Sequence, residues 1–171
     1  QSLETNAAPQ SAWVGDERGE GTEEDPWDIS YDASGNDVDA YLVQNNADGD
    51  NPTYTCYITG TGKAASYYID YNNLPPWWEQ VNQITKVVVG EGITYIHYNG
   101  FSGAELLTEV ELPSSLEYLG DYFSECPALT SVIFRNGTHD RWQVSARAFQ
   151  NCTALKEFPF EGVWKIGMYA F

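Results

Sequence analysis

The stretch "LPSSLEYLGDYFSECPALTSV", residues 112–132, carries the pattern that decides the fold. Its apolar residues recur at intervals of three and four, which is the spacing of a helix face. Those residues are Leu112, Leu116, Leu119, Phe123, Cys126, Leu129 and Val132. Pro113, Gly120 and Pro127 interrupt the stretch, and such residues prevent one long helix. The pattern therefore predicts a chain that sends apolar residues into a core at regular intervals and joins them by turns.

The same pattern occurs four times in the C-terminal half of the chain. The copies are "ITKVVVGEGITYIHYNGFSGAE", "LTEVELPSSLEYLGDYFSECPA", "LTSVIFRNGTHDRWQVSARAFQNCTA" and "LKEFPFEGVWKIGMYAF", and they begin at Ile84, Leu107, Leu129 and Leu155. Repeats of this length are typical of leucine-rich repeat solenoids. We therefore predict about four coils over residues 84–171, the last of them incomplete at Phe171.

Each copy opens with a short apolar pattern that is typical of a strand facing a core. The apolar trios are Ile84/Val87/Val89, Leu107/Val110/Leu112, Leu129/Val132/Phe134 and Leu155/Phe158/Phe160. Residues that alternate with them point the other way. Because solenoids bind ligands on the concave face of their stacked strands, these outward residues are the candidate ligand-binding set. They are Lys86, Val88, Glu109, Glu111, Ser131, Ile133, Arg135, Glu157 and Pro159.

Two further columns predict internal ladders of equivalent side chains. Phe101, Phe123, Phe149 and Phe171 form the first column, and Ala104, Cys126 and Cys152 follow it at a constant distance. A second apolar pair in each copy also points inward, with turns around it. We interpret the three cysteines as small buried residues, because they include no C-x-x-C motif for a metal and cannot all be paired. No metal site and no cofactor are expected.

The N-terminal half has a different character from the repeats. Residues 1–25 are polar and acidic and predict a flexible tether. Residues 26–83 contain the alternating runs "DVDAYLV" and "TYTCYITG", which predict a small β-rich unit that covers the exposed edge of the first coil. In that unit, Trp77 and Trp78 are predicted to pack in the core. The alternative is that both rings stack on sugars.

The repeats resemble the BspA-like leucine-rich repeat family of surface proteins. The resemblance lies in "SSLEYLGDYFSECPALTSV" and "RAFQNCTALKEF". Before the first coil, "YITGTG" is similar to an "ISGTG" strand that often precedes such repeats, and "PPW" is similar to the turn that follows that strand. It implies an α/β-type solenoid with short parallel strands and a mostly turn or irregular convex side, preceded by a β-rich cap. It also implies a secreted or cell-surface bacterial protein, lipid-anchored through its N-terminus, that attaches to host matrix proteins, host cells or other microbes.

Composition excludes several classes of function. The formal net charge of −17 argues against nucleic acid as a ligand, and no apolar run is long enough to span a membrane. A Ser/His/Asp arrangement would have to use His97 or His139, and neither lies in a recognisable catalytic motif. The sequence therefore predicts a monomeric, non-catalytic adhesion protein that binds a protein or surface ligand. A carbohydrate-binding accessory protein that uses the N-terminal aromatic residues is the alternative.

Overall fold

The computed structural model describes residues 19–32, 34–47, 49–68, 72–136 and 141–171. Within these ranges the regular elements are ten strands and one 3-10 helix, Trp78–Gln83. The strands are β1 (Trp27–Asp28), β2 (Asp37–Gln44), β3 (Tyr54–Lys63), β4 (Ile84–Val89), β5 (Ile93–Tyr98), β6 (Glu109–Leu112), β7 (Tyr118–Asp121), β8 (Ser131–Phe134), β9 (Trp142–Val144) and β10 (Val163–Ile166). His139 and residues 1–18 of the predicted tether lie outside the described ranges.

The repeats form a solenoid with two parallel sheets. The first sheet stacks the opening strands β4, β6 and β8, and the second sheet stacks β5, β7, β9 and β10. The short parallel strands agree with the prediction. The opposite side of the coils is more regular than predicted, since the second sheet replaces a mostly irregular surface.

Bulges explain why the sequence does not predict the second sheet. Ile93 pairs with Gly62 whereas Tyr95 pairs with Lys63, so Thr94 is an extra residue in β5. A bulge of this kind shifts the alternation of side chains along a strand. Ile93 and Ile96 therefore both reach the core, although they are three residues apart. A spacing of three does not match the alternation of side chains in a regular strand, so the sequence pattern does not predict β5.

The N-terminal unit joins the solenoid through β3. This strand pairs antiparallel with β2, parallel with β4 and, at its end, parallel with β5, so it borders both sheets. Gly60, with φ of 106°, lies near the point where β3 passes from one sheet to the other. A Cβ atom there would lie 1.9 Å from the carbonyl oxygen of Asp37, so only glycine fits.

Residues 19–25, the part of the predicted tether that the structure describes, are folded. The amides of Glu20 and Gly21 donate to the carbonyl of Asp25, each at 3.0 Å, and the amide of Leu42 in β2 donates to the carbonyl of Gly21 at 2.9 Å. Gly21 is buried against the ring of Trp27. Residues 19–25 thus pack on the N-terminal unit.

A ladder of aromatic rings runs through the core as predicted. Phe101, Phe123, Phe149 and Phe171 stack with centroid separations of 5.6, 5.9 and 5.8 Å. Trp77 extends this ladder into the N-terminal unit, because its ring stacks on Phe101 at 5.0 Å. One continuous core therefore joins the two halves of the chain.

The fourth coil departs from the predicted pattern. Residues 155–160 form no strand, and Phe160, which was predicted to point inward, is 52% exposed. The second strand of that coil, β10, is formed and pairs with β9. The coil is therefore docked on the second sheet but not on the first.

Candidate protein-binding face

Parallel register gathers most of the predicted binding residues on one surface. Across β4, β6 and β8, Lys86 pairs with Glu109, which pairs with Ser131, and Val88 pairs with Glu111, which pairs with Ile133. The register continues through β3 and β2. We call this surface the first-sheet face, and it has two rows: Val43, Thr55, Lys86, Glu109 and Ser131, and Tyr41, Tyr57, Val88, Glu111 and Ile133.

Four alternating charges lie at the centre of the first-sheet face. The Lys86 ammonium contacts a carboxylate oxygen of Glu109 at 2.7 Å and one of Glu111 at 2.6 Å. The Arg135 guanidinium donates to the other oxygen of Glu111 from Nη2 at 2.7 Å and from Nε at 3.0 Å. The network has no net charge. It fixes long side chains that would otherwise lose rotamer freedom on binding a partner.

The network shifts the pKa values of Glu111 and Lys86. Burial acts to raise the pKa of Glu111, but the hydrogen bonds and positive charges of Lys86 and Arg135 outweigh it and hold that pKa below the usual range. Hydrogen bonds to Glu109 and Glu111 raise the pKa of Lys86. Both shifts favour the charged forms of Glu111 and Lys86, and the network supplies donors and acceptors that are held in place.

Two stacked tyrosines extend the face into the N-terminal unit. The rings of Tyr41 and Tyr57 lie 5.2 Å apart and 15° from parallel, in the same register row as Glu111 and Ile133. Tyrosine is enriched among residues that dominate protein interfaces. Reasoning from the repeats missed this pair, because the parallel pairing of β3 with β4 has no local signal. The alternation in "DVDAYLV" was the available clue.

Individual members of the predicted set differ in their access to a partner. Val88 is only 4% exposed, so little of its side chain is accessible to a partner. It lies in register between Tyr57 and Glu111, which leave little of it uncovered. Ile133 is 41% exposed and is the accessible apolar residue at this end. Glu157 lies outside the paired rows, because residues 155–160 form no strand.

The tryptophans proposed for sugar stacking have different surroundings. Trp77 is fully buried, packs against Phe101 and Tyr67, and donates from Nε1 to the carbonyl of Gly100 at 2.8 Å. Its ring faces are covered, so it fills the core and is not a sugar-stacking residue. Trp78 is partly exposed and borders a cavity of about 380 Å³. That cavity is also lined by Asn72, Asn73, Leu74, Pro75, Pro76 and Glu79.

Catalytic and metal-binding groups do not converge within the described residues. His97 lies on the second sheet, where its Nδ1 is 3.3 Å from the hydroxyl of Ser66 and burial lowers the pKa of its ring. Its ring neighbours are Tyr95, Tyr98 and Tyr118. No cluster of three metal-ligating side chains exists among the residues that the structure describes. In the same residues, no helix has the length and apolar character needed to cross a bilayer.

Comparison with known proteins places the repeats in a family. Residues 78–171 match the family described as "BspA type Leucine rich repeat region (6 copies)", whose members are typically non-catalytic surface proteins. No curated protein matches the chain. The crystal structure of a leucine-rich repeat protein from Eubacterium ventriosum ATCC 27560 is similar, with 18% identity and a TM-score of 0.39, over 75% of this chain and 41% of that one. The family match covers more than half of the residues, and the chain belongs to the BspA-type leucine-rich repeat family.

Proposed function

We propose that this chain is a non-catalytic binding protein that acts at a cell surface or after secretion and recognises a protein ligand through the first-sheet face. The observation that carries the proposal is the register, which aligns Lys86, Glu109, Glu111, Ser131 and Ile133 on adjacent strands. A surface built on paired backbone costs little ordering entropy when it binds. Matrix proteins or proteins of host and microbial surfaces are the proposed ligands, following the family resemblance.

Several properties of the first-sheet face support a protein as the ligand. The charge network offers fixed donors and acceptors, the Tyr41–Tyr57 pair offers rigid aromatic area, and Ile133 offers an exposed apolar contact. Protein interfaces combine these three kinds of group.

The proposal is tested with a panel of purified extracellular-matrix proteins immobilised on biosensor chips. For any that binds, Glu111→Arg combined with Ile133→Glu should weaken affinity at least about tenfold, which corresponds to about 1.4 kcal/mol. The matched control is Glu117→Arg combined with Leu106→Glu, which makes the same chemical changes at exposed residues off the face. Equal losses in both double variants, with folding verified by circular dichroism, would contradict the proposal.

A carbohydrate-binding role has one specific observation in its favour. The cavity beside Trp78 combines an aromatic ring with the side chains of Asn72, Asn73 and Glu79, and amides and carboxylates are the groups that hydrogen-bond sugar hydroxyls. A glycan array probed with the wild type and with Trp78→Ala tests this role. Glycan binding that disappears in Trp78→Ala and survives in the first-sheet double variant would favour it.

A further inference from the structure

The first sheet ends at β8 with an open edge. The amide of Ser131 donates to the carbonyl of Thr108 at 3.1 Å, and the amide of Arg135 donates to that of Leu112 at 3.3 Å. The backbone N–H groups of Ser131 and Arg135 therefore point toward β6. Because the N–H and C=O of one residue in a parallel strand point to the same side, those of Val132 point away from β6, toward the fourth coil.

The fourth coil does not pair with this edge, and a proline explains why. Pro159 occupies the place in its coil that Ile133 occupies in the coil before. That position must donate its N–H to the preceding coil, and proline has none. The amide of Phe160 instead donates to the carbonyl of Phe158 at 3.0 Å, an i to i+2 bond that turns the backbone at the proline. Among the described residues, no backbone hydrogen bond joins residues 155–160 to Thr130 or Val132.

A ladder of threonines also stops at the same place. Thr108 donates from its amide and its hydroxyl to the carbonyl of Thr85, at 2.9 and 3.1 Å. Thr130 repeats both bonds to the carbonyl of Thr108, at 3.0 and 3.2 Å. The fourth coil has Lys156 at this position, and within the described chain it makes neither bond to Thr130. The carbonyl of Thr130 is therefore presented at the same edge as Val132.

The gap is confined to the first sheet. Elsewhere the fourth coil is bound to the third: the amide of Phe149 donates to the carbonyl of Ala170 at 2.7 Å, and that of Trp142 to the carbonyl of Gly162 at 3.1 Å. The strands β9 and β10 pair as well. General fraying of the last coil therefore does not account for the open edge.

A cleft of about 300 Å³ occupies the gap. It is lined by Thr130, Ser131, Val132, Ile133, Glu157, Phe158 and Pro159. A second cavity of about 500 Å³ adjoins it at Thr130 and is bordered by Lys156 and Glu157. Of the lining residues, Ile133 is 41% exposed and Glu157 is exposed as well, whereas Val132 is 5% exposed because its side chain lies in the core.

We propose that an extended segment of a partner protein binds in this cleft by adding a strand to β8. The carbonyls of Thr130 and Val132 accept hydrogen bonds from its backbone, and the amide of Val132 donates one. This is the mode in which main-chain bonds give affinity and alternate side chains give specificity. The inference rests on the proposed function, since the cleft borders the first-sheet face, and it names the form of the ligand.

The cleft also indicates the side chains of that segment. An apolar residue fits over Ile133, and a basic residue fits beside Glu157. The preferred occupant is therefore an extended segment in which apolar and basic residues alternate.

Amide hydrogen exchange tests the open edge without any ligand. Val110 and Val132 are the same residue type in paired register, but the amide of Val110 faces β8 whereas that of Val132 faces the cleft. Val132 should exchange at least about a hundredfold faster than Val110, because an unpaired amide has no structural protection. Equal protection of the two amides would overturn the inference.

Peptide selection tests the occupant. Random linear peptides of about ten residues, longer than a typical edge strand, are selected on phage against the whole chain. The selected peptides should bind at least tenfold more weakly to Lys156→Thr/Pro159→Val, which restores the missing donors and closes the edge. The matched control Lys165→Thr changes an exposed lysine of the same coil away from the cleft. N-methylation removes backbone N–H donors from the peptide. Methylation of every second residue should abolish binding when it removes the N–H groups that face β8, and it should leave binding intact when the methylated positions are shifted by one residue.

The remaining outcomes separate this inference from the proposed function. Selection that yields no peptide sensitive to Lys156→Thr/Pro159→Val overturns the inference, as does a dimer of this chain that the same variant abolishes. If a matrix protein loses affinity in Glu111→Arg/Ile133→Glu and keeps it in Lys156→Thr/Pro159→Val, the proposed function stands and the strand-addition site does not. If neither variant affects that binding, both fail.

Discussion

Glu111 illustrates how single residues prepare the first-sheet face. Its carboxylate is buried yet touches two cations, Lys86 in β4 and Arg135 directly after β8. Removal of one partner from a buried pair leaves an uncompensated charge, which costs more than the pair contributes. Glu111 therefore couples the ionic state of the face to the folding of three strands.

Acid should reveal this coupling. The folded-state pKa of Glu111 lies below the ordinary value of 4.5, so its contribution to stability is complete above that pH and is lost as the pH falls through the folded pKa. Glu111→Gln should lower the free energy of unfolding at neutral pH and flatten its decline in acid. Urea melts at several pH values measure this, with Glu117→Gln at an exposed site as control. Parallel pH profiles for wild type and Glu111→Gln would contradict the prediction.

The phenylalanine ladder allows a comparison within one column. Phe149 is 1% exposed between two stacked rings, whereas Phe171 is 49% exposed at the end of the same stack. Phe149→Ala should cost about 3 to 5 kcal/mol, the usual cost of truncating a buried aromatic residue. Phe171→Ala should cost less than half of that. Chemical denaturation measures both, and a cost below about 1 kcal/mol for Phe149→Ala would show that the column is not core.

At the scale of one element, the repeating coil, the sequence predicts most of the pattern. The opening trios identify β4, β6 and β8, and the phenylalanine column identifies the ladder, because both depend on burial that recurs with the repeat. The second sheet escapes prediction because its bulges put inward residues three apart. The missing fourth strand had a visible signal in Pro159, since proline is excluded from paired strand positions.

The cysteine column is an element-scale prediction about chemistry. Cys126 and Cys152 are buried in consecutive coils, and their thiols donate to the carbonyls of Phe101 and Phe123 at 3.2 and 3.0 Å. The neighbouring Cys152 thiol, together with burial, raises the pKa of Cys126. Both should be reduced, because each thiol is buried and donates to a backbone carbonyl inside the core. Mass spectrometry after alkylation of unfolded protein measures this, and a Cys126–Cys152 disulfide would refute it.

At the scale of the whole molecule, the first-sheet face spans both halves of the chain. Its tyrosine pair, Tyr41 and Tyr57, comes from β2 and β3. Its charge network comes from β4, from β6 and from Arg135 directly after β8. The repeats alone predict only the second part. Which strand of the N-terminal unit borders the first coil depends on long-range pairing, which local residue patterns do not specify.

The tether can be separated from this surface. Because residues 19–25 pack on the N-terminal unit, deletion of residues 1–18 is a cleaner variant than deletion of residues 1–25. Its affinity for a matrix protein found in the panel should stay within a few-fold of wild type, because charges beyond a Debye length of about 8 Å are screened. Biosensor titration measures this. Loss of binding in the deletion but not in Glu111→Arg/Ile133→Glu would place recognition in the tether.

The double pairing of β3 has a consequence for the order in which the molecule is assembled. Each coil needs a finished neighbour for both of its strands, and β3 offers such a template to the first coil before any coil exists. During synthesis the N-terminal residues emerge first. The solenoid can therefore grow in one direction, coil by coil, from a template that leaves the ribosome before the coils do.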